Sequence, residues 1–490
     1  MGVVATDREH SVVESVPRKL FIGGNWIDAS GGATLPVEDP STGETIAEVA
    51  DATPDDAVAA LAAAHETQAE WAAKPPRERG EILRRAFELM VERADDLALL
   101  MTLEMGKPIA ESEAEVKYAA EFFRWFSEQA VRVAGRYQVP TTGQGRVIVM
   151  KQPVGPAYLI TPWNFPAAMA TRKIGPAVAA GCTMILKPAS ATPLSALAVA
   201  QILEESGLPP GVLNVVTSSS SSAVTKPLLT DFRLRKLSFT GSTEVGQKLM
   251  EQSAENLLRL SMELGGNAPF LVFEDADLDA AVEGAMIAKL RNIGEACTAA
   301  NRFYVAEPLA TGFVDQLAER MKSLKVGRGT EEGVQIGPLI NEEQRGKVED
   351  LVDDAVQKGA KPVVGGVRLE GHGYFYPPTV LSDVPDDARL LKEEIFGPVA
   401  PVRGFADEEQ ALQWANNTEY GLVAYVYTRD FSRAIRVMEG LEYGMVGLNR
   451  GMVSDPAAPF GGVKHSGFGR EGGFEGIEEY LETKYCAMTV

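Results

Sequence analysis

Cysteine is scarce in this chain. Three occur in 490 residues, Cys182, Cys297 and Cys486. They are far apart and odd in number, which excludes complete intrachain pairing and makes a reducing, cytoplasmic setting the simplest expectation. Histidine is nearly as rare. His10, His65, His372 and His465 form no HExxH pair and lie at no zinc-like spacing to a cysteine, so no metal or haem site is expected. Basic residues are outnumbered, 47 Lys and Arg against 68 Asp and Glu, for a net charge of -21. A nucleic-acid or anionic-membrane partner needs clustered cations and is not expected. An anionic metabolite stays open, because a few local arginines outweigh the global field at contact distance. No apolar run is long enough to span a bilayer, and charges interrupt MGVVATDREH too early for a signal peptide. MGVVAT fits the loose acylation pattern through Gly2 and Thr6, but one acyl chain without a basic patch anchors weakly.

What is present is an ordinary globular composition, 45% hydrophobic and 23% charged. The length exceeds what one core supports. ATPDDAVAAL starts a helix, with Thr53 as N-cap, Pro54 as first helical residue, and Asp55 and Asp56 at the positive end. Amphipathic helices are predicted over 77–102 and 111–131. From residue 155 short apolar strands (YLIT, MILK, LNVV, KLSFT) alternate with helical segments such as PAAMATRKIGPAVAA. A second alternation starts near Pro269, with PFLVF, FYV, KPVVG, VAYVY and MVGLN as strands. This pattern predicts an α/β protein with two doubly wound, Rossmann-like lobes. Residues 136–154 read as a strand–turn–strand arm around Gly143 and Gly145, and KYCAMTV as a further strand. The exposed edges of such an arm predict homo-oligomerisation through it. The serine run 218–222 reads as a polar loop before a helix.

Two motifs mislead. SGFGREGG contains GxGxxG at Gly467, Gly469 and Gly472, but fewer than twenty residues remain for the βαβ unit that a dinucleotide fingerprint needs. It reads instead as a flexible loop. DADLDAA resembles a calcium loop, yet Ala280 and Met286 stand where Gly and Glu are required. Its acids suit a helix start.

Four segments have the composition of a site: TPWNFP (161–166), KPAS (187–190), FTGSTEVG (239–246) and SMELGGNAP (261–269). Ser242 can cap the helix after the KLSFT strand, leaving a helix N-terminus suited to a pyrophosphate. Lys187 ends an apolar strand and can meet phosphate or ribose, or else snorkel to solvent. Glu263 stands beside Gly265 and Gly266 in an apolar stretch, where burial raises a carboxyl pKa towards that of a general base. GEACTAANR places Cys297 among small residues. A lone cysteine is more often packed than reactive, so its neighbours must decide.

In this order, with EEIFGPV (393–399) and PFGG (459–462) downstream, the chain resembles the NAD(P)-dependent aldehyde dehydrogenase superfamily from about Phe21 to its end. The resemblance implies that Cys297 is the nucleophile, forming a thiohemiacetal and, after hydride passes to nicotinamide C4, a thioester. It implies Asn164 and the Cys297 backbone N–H as oxyanion donors and Glu263 as the base that activates water. Trp163, Asn164, Lys187, Ser190, Gly241, Ser242, Leu264, Glu394 and Phe396 match cofactor contacts. Arg172, Arg291 and Ser454 match the positions by which succinate-semialdehyde dehydrogenases hold a distal carboxylate. The alternative for both arginines is a structural ion pair. Glutarate semialdehyde, one methylene longer, is expected as a secondary substrate. A general aliphatic or betaine-aldehyde-type enzyme is the alternative, although a cationic substrate suits two arginines poorly. Many NAD-preferring relatives carry glutamate at the position of Ser190. Serine removes its repulsion of a 2′-phosphate, so NADP is expected to be preferred over NAD. Ala299 stands where some relatives have a second cysteine, which implies no disulfide switch. The implied domains are a cofactor-binding domain (1–135 and 155–265), a catalytic domain (266–465) and an oligomerisation arm (136–154 with 466–490), in a homodimer or homotetramer.

Overall fold

Two extended sheets dominate the chain, which the computed structural model describes over residues 6–490. Gly2 of the acylation-like motif lies outside them, while Thr6 forms a capping box with Glu9 at the start of helix Asp7–Glu14. The first sheet has eight strands. In spatial order they are Gly467–Phe468, Arg259–Glu263, Lys236–Thr240, Ala157–Ile160, Met184–Lys187, Leu213–Val215, Leu20–Ile22 and Asn25–Ile27. The five from Arg259–Glu263 to Leu213–Val215 are parallel, and the edges are antiparallel. The chain builds outward from Ala157–Ile160 in one direction, then returns to add Lys236–Thr240 on its other side. That reversal is a topological switch point, where open α/β sheets leave a crevice.

The side-chain alternation of these strands divides between two cores. Ala157, Leu159, Met184 and Leu186 join one apolar cluster, and Tyr158, Ile185, Leu237 and Phe239 join another. Both faces are therefore covered, as a parallel sheet requires. The second sheet has seven strands, Lys361–Val364, Thr379–Ser382, Val399–Phe405, Ala300–Ala306, Ala268–Val272, Val423–Tyr427 and Met445–Leu448, parallel apart from the first. It divides in the same way, Phe270, Phe303 and Tyr425 on one side and Leu271, Tyr304 and Val426 on the other.

A third sheet stands apart. Leu481–Met488, Arg146–Pro153 and Arg136–Gln138 pair antiparallel, with Gly143 and Gly145 at positive φ in the connecting turn. Tyr137, Val139, Met150 and Tyr485 of this arm are exposed.

Several local readings hold and others change. Thr53 caps helix Pro54–Ala73 in a capping box with Asp56. Asp277 caps helix Leu278–Leu290, so the acids of DADLDAA do belong to a helix start. The predicted helix 77–102 is two helices, Pro76–Glu92 and Ala94–Met105, which turn at Arg93. The serine run does not remain loop to its end, because Ser221 already opens helix Ser221–Leu229. SGFGREGG is not a free loop. Gly467–Phe468 pairs with Met262 and Glu263, and Glu471 exchanges two backbone hydrogen bonds with Phe460, each 2.8 Å.

Candidate active site

The two sheets meet with opposite polarity. Carboxyl ends of the first sheet's strands lead into Trp163 and Asn164, Ser242, and Glu263. Amino ends of the second sheet's strands follow Cys297, just before Ala300–Ala306, and Phe396, just before Val399–Phe405. The resulting cavity of about 210 Å3 is lined by Trp163, Asn164, Gly241, Ser242, Leu264, Cys297, Glu394 and Phe396, among others.

Backbone strain positions Cys297. Asn292, Ile293 and Gly294 have φ of 54°, 61° and 81° in succession, and a β-branched residue at positive φ is a genuine outlier. Gly294 is needed there, since a Cβ would lie 2.3 Å from the Gly397 carbonyl oxygen. On the other side a Cβ at Gly266 would lie 2.5 Å from the Cys297 carbonyl oxygen. The loop carrying Cys297 is thus held between Gly266 and Gly294. Burial pushes the Cys297 thiol up to about 12. Arg172 and Arg291 pull against this, while Glu394 and Glu263 add to it.

Asn164 is 3% exposed. One amide hydrogen goes to the Glu295 carbonyl at 2.9 Å, leaving the other for a ligand, and its Oδ1 has no partner. Its own carbonyl is gripped by Lys107 Nζ at 2.8 Å and by Asn292 Nδ2 at 3.0 Å. Lys107 also pairs with Glu115 at 2.5 Å, and the other Glu115 oxygen caps Ala167 and Ala168 at the start of helix Pro166–Ala180. Sequence reasoning missed Lys107 and Glu115, which look like ordinary surface charges but are buried.

Glu263 is 2% exposed and neither oxygen has a partner. Burial raises its pKa well above the carboxylate range and Glu471 adds to this, against Arg172, Lys173 and Arg470. Glu471, inside the misleading GREGG segment, is the other missed acid. Burial works against its charge, but Arg172 and Lys173 hold it ionised.

The three candidate substrate residues do not behave alike. Arg291 Nη1 donates to Ser454 Oγ at 3.1 Å, and its guanidinium lies 4.8 Å from the Phe165 ring centroid. Arg172 is buried in an ion pair with Glu471 and 4.3 Å from the centroid of Phe460. Its charge is spent within the protein, although Nη2 has no partner.

The wall also fits a dinucleotide. Ser242 caps helix Thr243–Ser253 through Val245 N–H, so a helix N-terminus opens beside Gly241. Phe396, at a φ of 56°, meets Trp163 edge-on at 5.4 Å. Its carbonyl is held by Gln344 Nε2 at 2.6 Å, another contact the sequence did not announce. Glu394 accepts the Gly266 N–H at 3.2 Å, and burial raises its pKa to about 7 against Lys347, that N–H and Lys289. Thr240 Oγ1 and Asn164 Oδ1 on this wall are buried without partners, as polar groups awaiting a ligand are. Lys187 and Ser190 stand beyond it. Lys187 does not snorkel. It is 2% exposed, and burial lowers its pKa to about 8 against the pull of Asp51. Ser190 is exposed.

The profile of the aldehyde dehydrogenase family matches residues 26–486. The chain is 60% identical over 443 residues to a succinate-semialdehyde dehydrogenase of Paenarthrobacter nicotinovorans, covering 90% of this chain and 98% of the relative. It is 51% identical to a glutarate-semialdehyde dehydrogenase of Pseudomonas putida, covering 96% and 98%. Among solved structures, an Escherichia coli NADP-dependent enzyme superposes with a TM-score of 0.96 at 50% identity, covering 97% and 99%. Profile, relatives and fold agree with the geometry of the cleft, and the chain belongs to the aldehyde dehydrogenase family.

Proposed function

We propose that this chain oxidises succinate semialdehyde, or a short carboxylated aldehyde like it, to the acid with NADP as preferred cofactor and NAD as a weaker one. The observation that carries the substrate class is the Arg291–Ser454 contact, a cation and a hydroxyl paired at 3.1 Å, with Arg291 and Arg172 both near enough to Cys297 to favour its thiolate. The P. nicotinovorans and P. putida relatives act, by their names, on succinate and glutarate semialdehydes. Glutarate semialdehyde is the secondary substrate, since one methylene discriminates by only ~1–3 kcal/mol.

The chemistry follows from the side chains. Cys297 gives its proton to solvent water as its sulfur attacks the aldehyde carbon, forming a C–S bond. The oxygen becomes an alkoxide, stabilised by the free Asn164 amide hydrogen and the Cys297 backbone N–H. Residues Trp163, Gly241, Ser242, Leu264, Glu394 and Phe396 would hold the dinucleotide, with Lys187 and Ser190 towards its adenosine end. When bound, the nicotinamide would supply an acceptor for the hydride that leaves the tetrahedral carbon. A thioester remains on Cys297. Glu263 takes a proton from water as the water oxygen attacks the thioester carbon, the C–S bond breaks, and the acid leaves. Arg291 and Ser454 bind the far carboxylate throughout, while Arg172 contributes one N–H.

We assign the first sheet's lobe to cofactor binding and the second to catalysis, with the arm joining copies of the chain. The exposed Tyr137, Val139, Met150 and Tyr485 support that last part. Among the described residues no helix is long and apolar enough to cross a membrane. The test of the proposed function is NADPH formation with succinate semialdehyde, betaine aldehyde and a neutral aldehyde. Activity confined to betaine aldehyde overturns it.

A further inference from the structure

We infer that the Tyr118 hydroxyl is a specificity-determining group that donates a hydrogen bond to the substrate's far carboxylate. The inference rests on the carboxylated-aldehyde reading above and adds a residue that the sequence did not single out. Tyr118 lies on helix Ile109–Gln129. Phe122, one turn along, meets its ring edge-on with centroids 4.9 Å apart, which fixes the ring plane. The Arg291 guanidinium lies 5.8 Å from the Tyr118 centroid, so the phenol belongs to the same wall as the Arg291–Ser454 pair. Tyr118 also lies near the Arg172 guanidinium.

The hydroxyl itself is the anomaly. Tyr118 Oη is buried and has no hydrogen-bond partner, and nor has Arg172 Nη2. Buried donors are ordinarily satisfied, by protein or by water, because desolvation without a partner is unfavourable. Unsatisfied donors on Tyr118 and on the Arg172 near it, with Tyr118 beside a cation that already has a hydroxyl partner, describe a receptor for a group with several acceptor sites. A carboxylate has about four. Arg291 and Ser454 can meet part of it, and Tyr118 and the free Arg172 N–H the remainder.

The chemistry of each donor matters. The charge of Arg172 is opposed by Glu471, so Arg291 supplies the net attraction. Tyr118 adds direction without adding charge. A neutral aldehyde offers the phenol nothing, and a trimethylammonium group repels the arginines while leaving Oη unpaired. The phenol therefore sharpens selection for an anionic end group beyond what two arginines alone provide.

Tyr118→Phe removes the oxygen and keeps the ring. Steady-state kcat and KM are measured for succinate semialdehyde and for butanal, the neutral aldehyde of the same chain length. For succinate semialdehyde, KM is expected to rise about tenfold, the effect of one hydrogen bond to a charged acceptor. The butanal constants are expected to stay within about twofold, the scatter of a conservative change, which also shows that the variant is folded. Equal losses on both aldehydes, or no change on either, overturn the inference. If the wild-type enzyme has no preference for succinate semialdehyde over butanal, the reading beneath it fails and the inference fails with it. A wild-type preference that Tyr118→Phe leaves intact defeats the inference alone.

Discussion

Arg291 and Ser454 lie 163 positions apart in the chain, yet the arginine Nη1 donates to the serine Oγ at 3.1 Å. The guanidinium sits between that hydroxyl and the Phe165 ring, a setting that orients its remaining N–H groups towards an anion. Arg291→Ala is expected to lower kcat/KM for succinate semialdehyde by about ten- to a hundredfold, as loss of a charge-assisted contact of ~1.5–3 kcal/mol does. A neutral aldehyde of similar length should lose little. Ser454→Ala should cost less, about 1 kcal/mol. Parallel kinetics on the two aldehydes check both, and equal losses would make Arg291 structural.

Glu471 lies close enough to Glu263 for its charge to oppose ionisation of Glu263. Burial and Glu471 hold Glu263 protonated, while Arg172 and Lys173 hold Glu471 ionised against its burial. A base with a raised pKa works only above that pKa, so thioester hydrolysis should accelerate as pH rises. Glu471→Gln removes the adjacent negative charge and leaves Arg172 and Lys173 facing Glu263. The Glu263 pKa should fall, and the rising limb of the kcat–pH profile should move to lower pH. A limb that stays in place or moves up contradicts this coupling.

Lys187, with its pKa lowered to about 8 by burial, is charged below that pH and neutral above it. If it meets the 2′-phosphate region, kcat/KM for NADP should fall above about pH 8 in the free enzyme, and that for NAD should change less. Ser190→Glu should reverse the cofactor preference, because a carboxylate there repels the phosphate. NADP and NAD kinetics at matched pH read both effects.

Gly266→Ala places a methyl group 2.5 Å from the Cys297 carbonyl oxygen. Backbone there cannot yield without displacing the nucleophile. Loss of most activity is expected with a stability cost of about 1–3 kcal/mol, the usual range for overpacking. Thermal melting beside NADPH formation separates the two. Full activity in Gly266→Ala would mean that the loop holding Cys297 is not held tightly.

The sequence made some of this legible because certain residues have few uses. Cys297, Glu263 and Asn164 lie in short motifs of glycine, proline, aromatic and small residues, and the first lobe's central strands are short, largely apolar runs between helical segments. Strands Thr379–Ser382 and Val399–Phe405 were not legible. Each follows prolines, and the second contains Pro401 and Gly404, which argue against a strand unless the sheet around them is known. The break at Arg93 has no glycine or proline to announce it. Lys107, Glu115, Glu471 and Tyr118 escaped for another reason. Their chemistry depends on burial and on partners from distant segments, such as Lys107 against Asn164, and a polar or charged residue reads as solvated until its neighbours are seen. Arg172 was found, but its ion pair with Glu471 makes it less a free anion receptor than the sequence suggested.

The central claim is a covalent route through Cys297 with Glu263 as the hydrolytic base. It is tested most directly by intact-mass analysis of Glu263→Gln after mixing with succinate semialdehyde and NADP, with NADPH followed in parallel. The account expects a stoichiometric burst of NADPH, slow turnover afterwards, and a succinyl thioester on Cys297 that is absent from Glu263→Gln/Cys297→Ala. Undiminished steady turnover by Glu263→Gln, or an acyl adduct that survives loss of Cys297, would contradict it.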